Sequence, residues 1–225
     1  PVEVIEATLA RVDRIDPSID SIVRIDREAA REAARRAERE IMSGDAGSLC
    51  GVPIGVKDIV DVAGMPTTCH SKILLDNVAR NDALSVRRLR EAGAIVMAKL
   101  APHEFALGGP SLDLPFPPAR NPWNPEFNPG GSSSGSGAAV AASLFPIAVG
   151  SDTAGSIRHP AGACGVLGLK PTYGAVPRGG VFPLAWSLDH VGPLARDAVD
   201  IMTAFLVMSG RPAGRRPGEG DPRGM

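Results

Sequence analysis

Apolar positions recur every three or four residues at the start of the chain. This spacing predicts an amphipathic helix over residues 2–16, ended by Pro17, with its apolar face formed by Val2, Ile5, Leu9, Val12 and Ile15. Residues 19–25 follow as a short strand. Asp26 is a favoured N-cap residue, so we expect a second helix that runs to Gly44.

The middle of the chain alternates between buried strands and an amphipathic helix. Residues 51–60 form an apolar run that carries Lys57 and Asp58, as expected for a buried strand that enters a turn. A helix over residues 82–92, capped by Asn81 and ended by Gly93, precedes an apolar strand over residues 94–100. This order of elements is typical of an α/β sandwich.

The second half of the chain is punctuated by glycine, proline and serine. Residues 108–137 form a long connection of the kind that is often functional. Residues 138–145 are apolar on all sides, which predicts a buried helix. Strands are expected over residues 146–150 and 165–169, and a last helix over residues 197–208. The Gly- and Pro-rich tail, residues 210–225, is expected to be disordered.

Composition narrows the class of protein. The chain has 225 residues, 44% hydrophobic and 22% charged, which is typical of a folded globular protein. A formal net charge of −1 lacks the basic excess of a nucleic-acid surface. Three cysteines are too few for a disulfide framework or a zinc cluster. Neither a membrane span nor a signal peptide is evident, so we expect a cytoplasmic protein.

Two serine-rich turns, residues 129–136 and 150–158, are the candidate sites of chemistry. A serine is a poor nucleophile without a base in hydrogen-bond reach. Residues 131–135 fit a nucleophile elbow with Ser133 as nucleophile and Asp189 and His190 as partners, although the turn follows a loop and not a strand. No Lys follows either turn as a phosphate loop requires, no Ser-x-x-Lys occurs, and the four histidines lack metal-ligand spacing.

Lys57 is conspicuous because only four of the 24 basic residues are lysines and this one lies in an apolar strand. A buried lysine loses hydration, which lowers its pKa and allows the neutral amine to act as a base near pH 7. The other interpretation is an ion pair with Asp58 or Asp61 at the end of the strand. The residues alone leave both interpretations open.

Several long motifs, in one order and spacing, resemble the amidase signature family over residues 2–209. They are GVPIGVKD (51–58), ARNPWN (119–124), GGSSSGS (130–136), GSDTAGSIRHP (150–160), CGVLGLKPTYG (164–174) and SLDHVGPLAR (187–196). The resemblance implies a mixed β-sheet sandwiched by helices, of which residues 1–209 form a partial domain without the C-terminal half.

The resemblance also implies a catalytic triad for hydrolysing or transferring amides, without a metal or organic cofactor. Ser156 takes the position of the nucleophile, Ser132 that of a bridging serine after a cis peptide bond, and Lys57 that of the base. The backbone N–H groups of Thr153, Ala154 and Gly155 take the positions that bind the oxyanion. Arg158 is a candidate for a substrate carboxylate, or for a structural ion pair with Asp152.

Three functions follow as hypotheses. The leading one is hydrolysis of a small-molecule carboxamide through an acyl-enzyme, with a homodimer as a candidate assembly. The second is the amidase subunit of a tRNA-dependent amidotransferase, which would release ammonia from glutamine and act with partner subunits. Because family members are much longer than this chain, the third is a truncated and catalytically inert fragment.

Overall fold

A mixed β-sheet lies at the centre of residues 1–211, the part of the chain that the computed structural model describes. Its strands are β1 (Ile22–Ile25), β2 (Pro53–Lys57), β3 (Ile95–Leu100), β4 (Ile147–Asp152), β5 (Leu167–Gly168) and β6 (His190–Ala195). They lie in the order β1-β3-β2-β4-β6-β5. Strands β3, β2 and β4 run parallel, and the others are antiparallel to their neighbours. The α/β class is confirmed.

Helices cover both faces of this sheet and bury its apolar residues. They are α1 (Val2–Ile19), α2 (Arg27–Ser43), α3 (Leu84–Glu91), α4 (Ser134–Ala141), α5 (Arg158–Cys164) and α6 (Ala198–Ser209). The apolar residues of α3 and α6 share one core cluster with Val56 of β2. The other four helices contribute to a second cluster, which contains Leu100 of β3. The sheet therefore separates two cores.

The first helix does not end at Pro17, as the sequence predicted. It continues to Ile19 and ends where Asp20 adopts a left-handed conformation with φ of 49°. Asp16 holds this last turn together: its carbonyl accepts from Asp20 N at 2.8 Å, and its carboxylate accepts from Ser21 N at 3.0 Å. These bonds pair the N–H groups that follow the end of the helix. Strand β1 consequently begins at Ile22 rather than at residue 19.

The predicted cap of α3 is also wrong. The helix begins at Leu84, with Ala83 at the cap position and without a side-chain cap. Asp82, expected inside the helix, instead accepts a hydrogen bond from Ala63 N at 2.7 Å and pairs with Arg90 at 3.0 Å. This tertiary contact holds the preceding chain in place, so the helix starts later. By contrast, Asp26 caps α2 through Ala29 N, as expected.

The elements around the second serine turn differ most from the prediction. The helix expected over residues 138–145 begins already at Ser134, and the strand expected over 165–169 shortens to Leu167–Gly168. Helix α5 and strand β6 were not predicted, because α5 has only seven residues and β6 contains Gly and Pro. Gly135 permits the early start of α4, since a Cβ there would lie 2.3 Å from Ser21 O.

Two expectations concern the chain as a whole. In residues 1–211, no helix combines the length and the apolar character needed to cross a bilayer. Of the tail over residues 210–225, all but the first two residues lie outside the described part of the chain.

Candidate functional site

Lys57 ends β2 and is fully buried. Its Nζ lies 2.8 Å from Ser132 Oγ and 2.8 Å from Ser151 Oγ. Burial lowers the pKa of Lys57 to about 7, against the opposing attraction of the Asp152 charge. Near neutral pH the amine is therefore available in its uncharged form, with a hydroxyl in position to give it a proton.

The expected alternative, an ion pair between Lys57 and Asp58, is wrong. Side chains alternate between the faces of a strand, and Val56 pairs with Lys99 in the β2–β3 register. Lys99 and Asp58 therefore meet on the face opposite Lys57, where Lys99 Nζ lies 2.9 Å from Asp58 Oδ1. The Asp61 alternative is not formed in residues 1–211 either, so Lys57 has hydroxyl partners only.

Ser132 lies in the first serine turn, just before α4, and its side chain is buried. The Gly131–Ser132 peptide bond is cis. His103 N donates to Ser132 O at 3.0 Å, and the imidazole of His103 packs on Gly131 so closely that a Cβ there would lie 2.1 Å from its Cε1. A side chain at position 131 would require the imidazole to move, so glycine allows His103 to pack against the turn that carries Ser132.

Ser133 joins the two serine turns, and its hydrogen bonds in residues 1–211 do not include the base that an elbow nucleophile needs. Its Oγ donates to Ser151 O at 3.1 Å and accepts from Ser151 N at 3.2 Å, and its N donates to Ser156 O at 3.1 Å. The nominal partner Asp189 is engaged elsewhere, since it accepts from Thr153 Oγ1 at 2.6 Å. Ser133 is a fully buried clamp between the turns, without a base in the described residues.

Ser156 lies in the second turn, between β4 and α5, and is half-buried. Together with Ser132 it lines an open cavity of about 430 Å³, which also has His103 and His159 in its wall. No hydrogen bond joins the hydroxyls of Ser132 and Ser156 within residues 1–211. Ser132 thus connects the buried amine of Lys57, 2.8 Å from its Oγ, to a cavity that Ser156 also lines.

Asp152 organises the second turn from inside. Its buried carboxylate accepts from Gly155 N at 2.8 Å and Ile157 N at 3.1 Å, and it pairs with the Arg158 guanidinium at 3.0 Å. Burial alone would raise the pKa of Asp152, but the hydrogen bonds from Arg158 and the two N–H groups lower it below its ordinary value. Arg158 thus forms the ion pair that was one of its two expected roles.

The backbone N–H groups of the second turn fall into two sets. That of Gly155 is occupied by Asp152, which leaves it with a role in the turn rather than as an open donor. Those of Thr153 and Ala154 donate to no group in residues 1–211, and Ala154 is exposed. These two N–H groups are available to a ligand.

Two residues of the site were missed by the sequence analysis. Ser151 is the second hydroxyl partner of Lys57, and it lies within a quoted motif, five residues before Ser156. His103 lacked any such signal, because its packing against Gly131 depends on the fold. Burial lowers the pKa of His103. In residues 1–211, no cluster of three His, Cys, Asp or Glu side chains could hold a metal ion.

The family model and the curated relatives that match this chain agree with each other. The family model Amidase matches residues 3–217. Among curated proteins, the glutamyl-tRNA(Gln) amidotransferase A subunit of Geobacter metallireducens is 46% identical over 209 residues, which cover 93% of this chain and 43% of that protein. The corresponding protein of Azotobacter vinelandii is 49% identical over the same shares of both chains.

Solved structures of similar proteins share the fold. The peptide amidase of Stenotrophomonas maltophilia superposes with a TM-score of 0.87 at 35% identity, covering 97% of this chain and 47% of that one. The glutamyl-tRNA(Gln) amidotransferase A subunit of Thermotoga maritima gives 0.81 at 36% identity, covering 94% and 44%. The chain thus spans less than half the length of these relatives.

Proposed function

The chain belongs to the amidase family, and on that premise we propose that it hydrolyses carboxamides with Ser156 as nucleophile, Ser132 as proton bridge and Lys57 as general base. The observation that carries this proposal is the buried amine of Lys57, 2.8 Å from Ser132 Oγ. In residues 1–211 no carboxylate contacts that amine, so little holds the proton on it.

The first half of the reaction forms an acyl-enzyme. Neutral Lys57 accepts the proton of Ser132, and Ser132 accepts that of Ser156 as substrate draws the two hydroxyls together. Ser156 Oγ then bonds to the amide carbon, and the carbonyl electron pair moves to oxygen. When the tetrahedral adduct collapses, the C–N bond breaks and the proton returns through Ser132 to the leaving nitrogen.

The second half releases the acid. A water molecule takes the place of the departed amine. Its oxygen bonds to the ester carbon as it gives a proton to Ser132, which passes its own proton to Lys57. The bond to Ser156 Oγ then breaks and Ser156 recovers its proton. The unengaged N–H groups of Thr153 and Ala154 stabilise the oxyanion in both halves, and loss of one such donor typically costs about 10²–10³ in rate.

A second candidate function is the amidase subunit of a tRNA-dependent amidotransferase. It is supported by the names of the curated relatives, which are A subunits of glutamyl-tRNA(Gln) amidotransferase. The chemistry at Ser156 would be the same, with glutamine as the amide and a partner protein as the destination of the ammonia. Ammonia release from glutamine that requires added partner subunits would favour this function over a free-standing amidase.

A fluorophosphonate probe tests the proposed nucleophile in the natural gene product that contains these residues. The probe loses fluoride when a serine oxygen bonds to its phosphorus, so mass spectrometry locates the activated serine. We expect labelling of Ser156, which Ser156→Ala abolishes and Ser132→Ala slows strongly. Ser187→Ala, a substitution at an exposed serine, is the matched control, and Ser156 should be labelled normally in that variant. Labelling at Ser133, or none in a folded protein, would contradict the proposal and favour the elbow or the inert fragment.

A further inference from the structure

A second cavity adjoins the proposed site but shares no lining residue with the cavity of Ser132 and Ser156. Its volume is about 280 Å³, and we name it the Trp186 cavity. Ser151 and Thr153 form the part of its wall nearest the proposed chemistry. The rest of the wall is mainly apolar and includes Ile59, Val181, Phe182, Leu184, Trp186 and Val191.

Among the described residues, one carboxylate lines this cavity, and it already has its partners inside the protein. Asp189 accepts from Leu184 N at 3.0 Å, from Ala185 N at 3.0 Å and from Thr153 Oγ1 at 2.6 Å. These bonds fold the 184–189 loop around the carboxylate. A ligand cation would have to compete with all three, so the acidic residue does not mark the cavity as a site for a charged amine.

The basic groups of the wall are engaged in the same way. The guanidinium of Arg178 donates to Trp186 O and to the Tyr173 hydroxyl, and it lies 4.5 Å from the centre of the Tyr173 ring. His190 Nδ1 lies 2.6 Å from Leu188 O. The hydrogen-bond partners of Arg178 are neutral groups of the protein, and most of the remaining surface of the cavity is apolar.

The cavity is also coupled to the proposed chemistry. Ser151 Oγ lies 2.8 Å from Lys57 Nζ, so one hydroxyl belongs to both the cavity wall and the base. Thr153, whose N–H is one of the proposed oxyanion donors, is held by Asp189 to the loop that forms the apolar wall. A group seated in the cavity therefore lies beside the place where the amide carbonyl would bind.

We propose that the Trp186 cavity binds the apolar substituent of the substrate, so that the preferred amides carry one aryl or alkyl group. Its volume lies just below the usual range of ligand pockets, about 300–1,000 Å³, which suits a single such group. This inference rests on the proposed function and deepens it. The ammonium group of glutamine would find no unengaged carboxylate among the described residues of this cavity.

Binding tests the cavity independently of catalysis. In the Ser156→Ala variant of the natural gene product, phenylacetamide should change the tryptophan emission in a saturable way, because Trp186 is 76% exposed at the cavity wall. Trp186→Phe in the same background should remove that response, whereas Trp123→Phe should retain it. If phenylacetamide produces no saturable change in tryptophan emission, the inference is overturned. Filling of the cavity by another part of the protein would give that result.

Turnover tests the substrate class. Val181→Phe fills the cavity, and Val23→Phe is the matched control, because Val23 is also half-buried but lies on β1 at the other end of the sheet. We expect Val181→Phe to lower kcat/KM for phenylacetamide and hexanamide about 10–200-fold, and for acetamide less than about threefold. The control should leave all three nearly unchanged.

The outcomes separate this inference from the proposed function. An equal loss for all three amides, or a wild type that prefers acetamide or L-glutamine, overturns the cavity assignment while Ser156 chemistry stands. Saturable binding of phenylacetamide without turnover of any amide and without probe labelling overturns the proposed function, while the cavity assignment stands.

Discussion

The two buried lysines of the central sheet lie on neighbouring strands, but their amines contact different kinds of groups. Lys99 on β3 meets the Asp58 carboxylate at 2.9 Å, and its Nζ also donates to Val60 O at 2.7 Å and Thr67 Oγ1 at 3.0 Å. Lys57 on β2 meets two serine hydroxyls. Both side chains are completely buried, so exposure does not distinguish them.

The two environments differ in how strongly each stabilises the protonated, charged amine. A carboxylate and a carbonyl stabilise a charged amine, so the surroundings of Lys99 suit an ion pair. Hydroxyls compensate only weakly for lost hydration, and the pKa of Lys57 falls to about 7. A buried lysine thus becomes chemically useful when the fold sends the adjacent carboxylate, Asp58, to the other face of the sheet.

The largest expected effect follows from Lys57→Met, which keeps the volume of the side chain and removes the amine. We expect amide hydrolysis and probe labelling of Ser156 to fall by roughly 10²–10⁴, the usual contribution of general acid–base catalysis. Lys72→Met is the control, because that lysine is exposed at the surface. A Lys57→Met enzyme with near-normal rates would show that the amine is not the base.

The reciprocal substitution, Lys99→Met, should affect stability first. It leaves Asp58 buried without its cation, and breaking such a pair typically lowers the free energy of unfolding by about 3–5 kcal/mol. Urea denaturation of both lysine variants measures the contrast. At pH 7, Lys57→Met should leave the free energy of unfolding unchanged or raise it, since the cost of burying the amine disappears while two hydroxyls lose a partner.

A double variant sharpens this second prediction. Asp58→Asn together with Lys99→Met removes both charges, so it should be more stable than the sum of the two single losses implies. Strictly additive losses would mean that the two side chains do not interact. An unchanged free energy of unfolding in Lys99→Met would remove the distinction between the two lysines.

Much of the fold could be predicted from sequence because the signals were local. The apolar runs of β2 and β3 and the Asp26 cap of α2 depend on neighbouring residues. Pro17 and Asn81 failed as local signals. Helix α1 runs past Pro17 and is closed by the bond from Ser21 N to Asp16, and Asp82, next to Asn81, is held by Ala63 N. A local capping bond ends α1, whereas a tertiary hydrogen bond sets the start of α3.

The site was accessible to sequence reasoning only in part. The lone lysine of an apolar strand pointed to unusual chemistry, and the resemblance supplied its serine partners. The residues alone could not decide between a base and an ion pair, because that choice depends on the β2–β3 register, which turns Asp58 toward Lys99. Ser151 and His103 required the folded turns, where backbone contacts bring them to Lys57 and Gly131.

The effect that is smallest per pH unit is the pH dependence due to Lys57. If the neutral amine is the base, kcat/KM rises about tenfold per pH unit below pH 7 and levels off above it, since the pKa of Lys57 is about 7.

Between that pH and the ordinary lysine value of 10.5, the unfolded chain binds more protons than the folded one. The contribution of Lys57 to the free energy of unfolding therefore increases with pH across this window. The difference in free energy of unfolding between wild type and Lys57→Met, measured from about pH 6 to 10, isolates that contribution because the other titrating groups are common to both. A difference that stays constant with pH, or a rate that decreases as the pH is raised to 7, would mean that Lys57 keeps its proton in the folded protein.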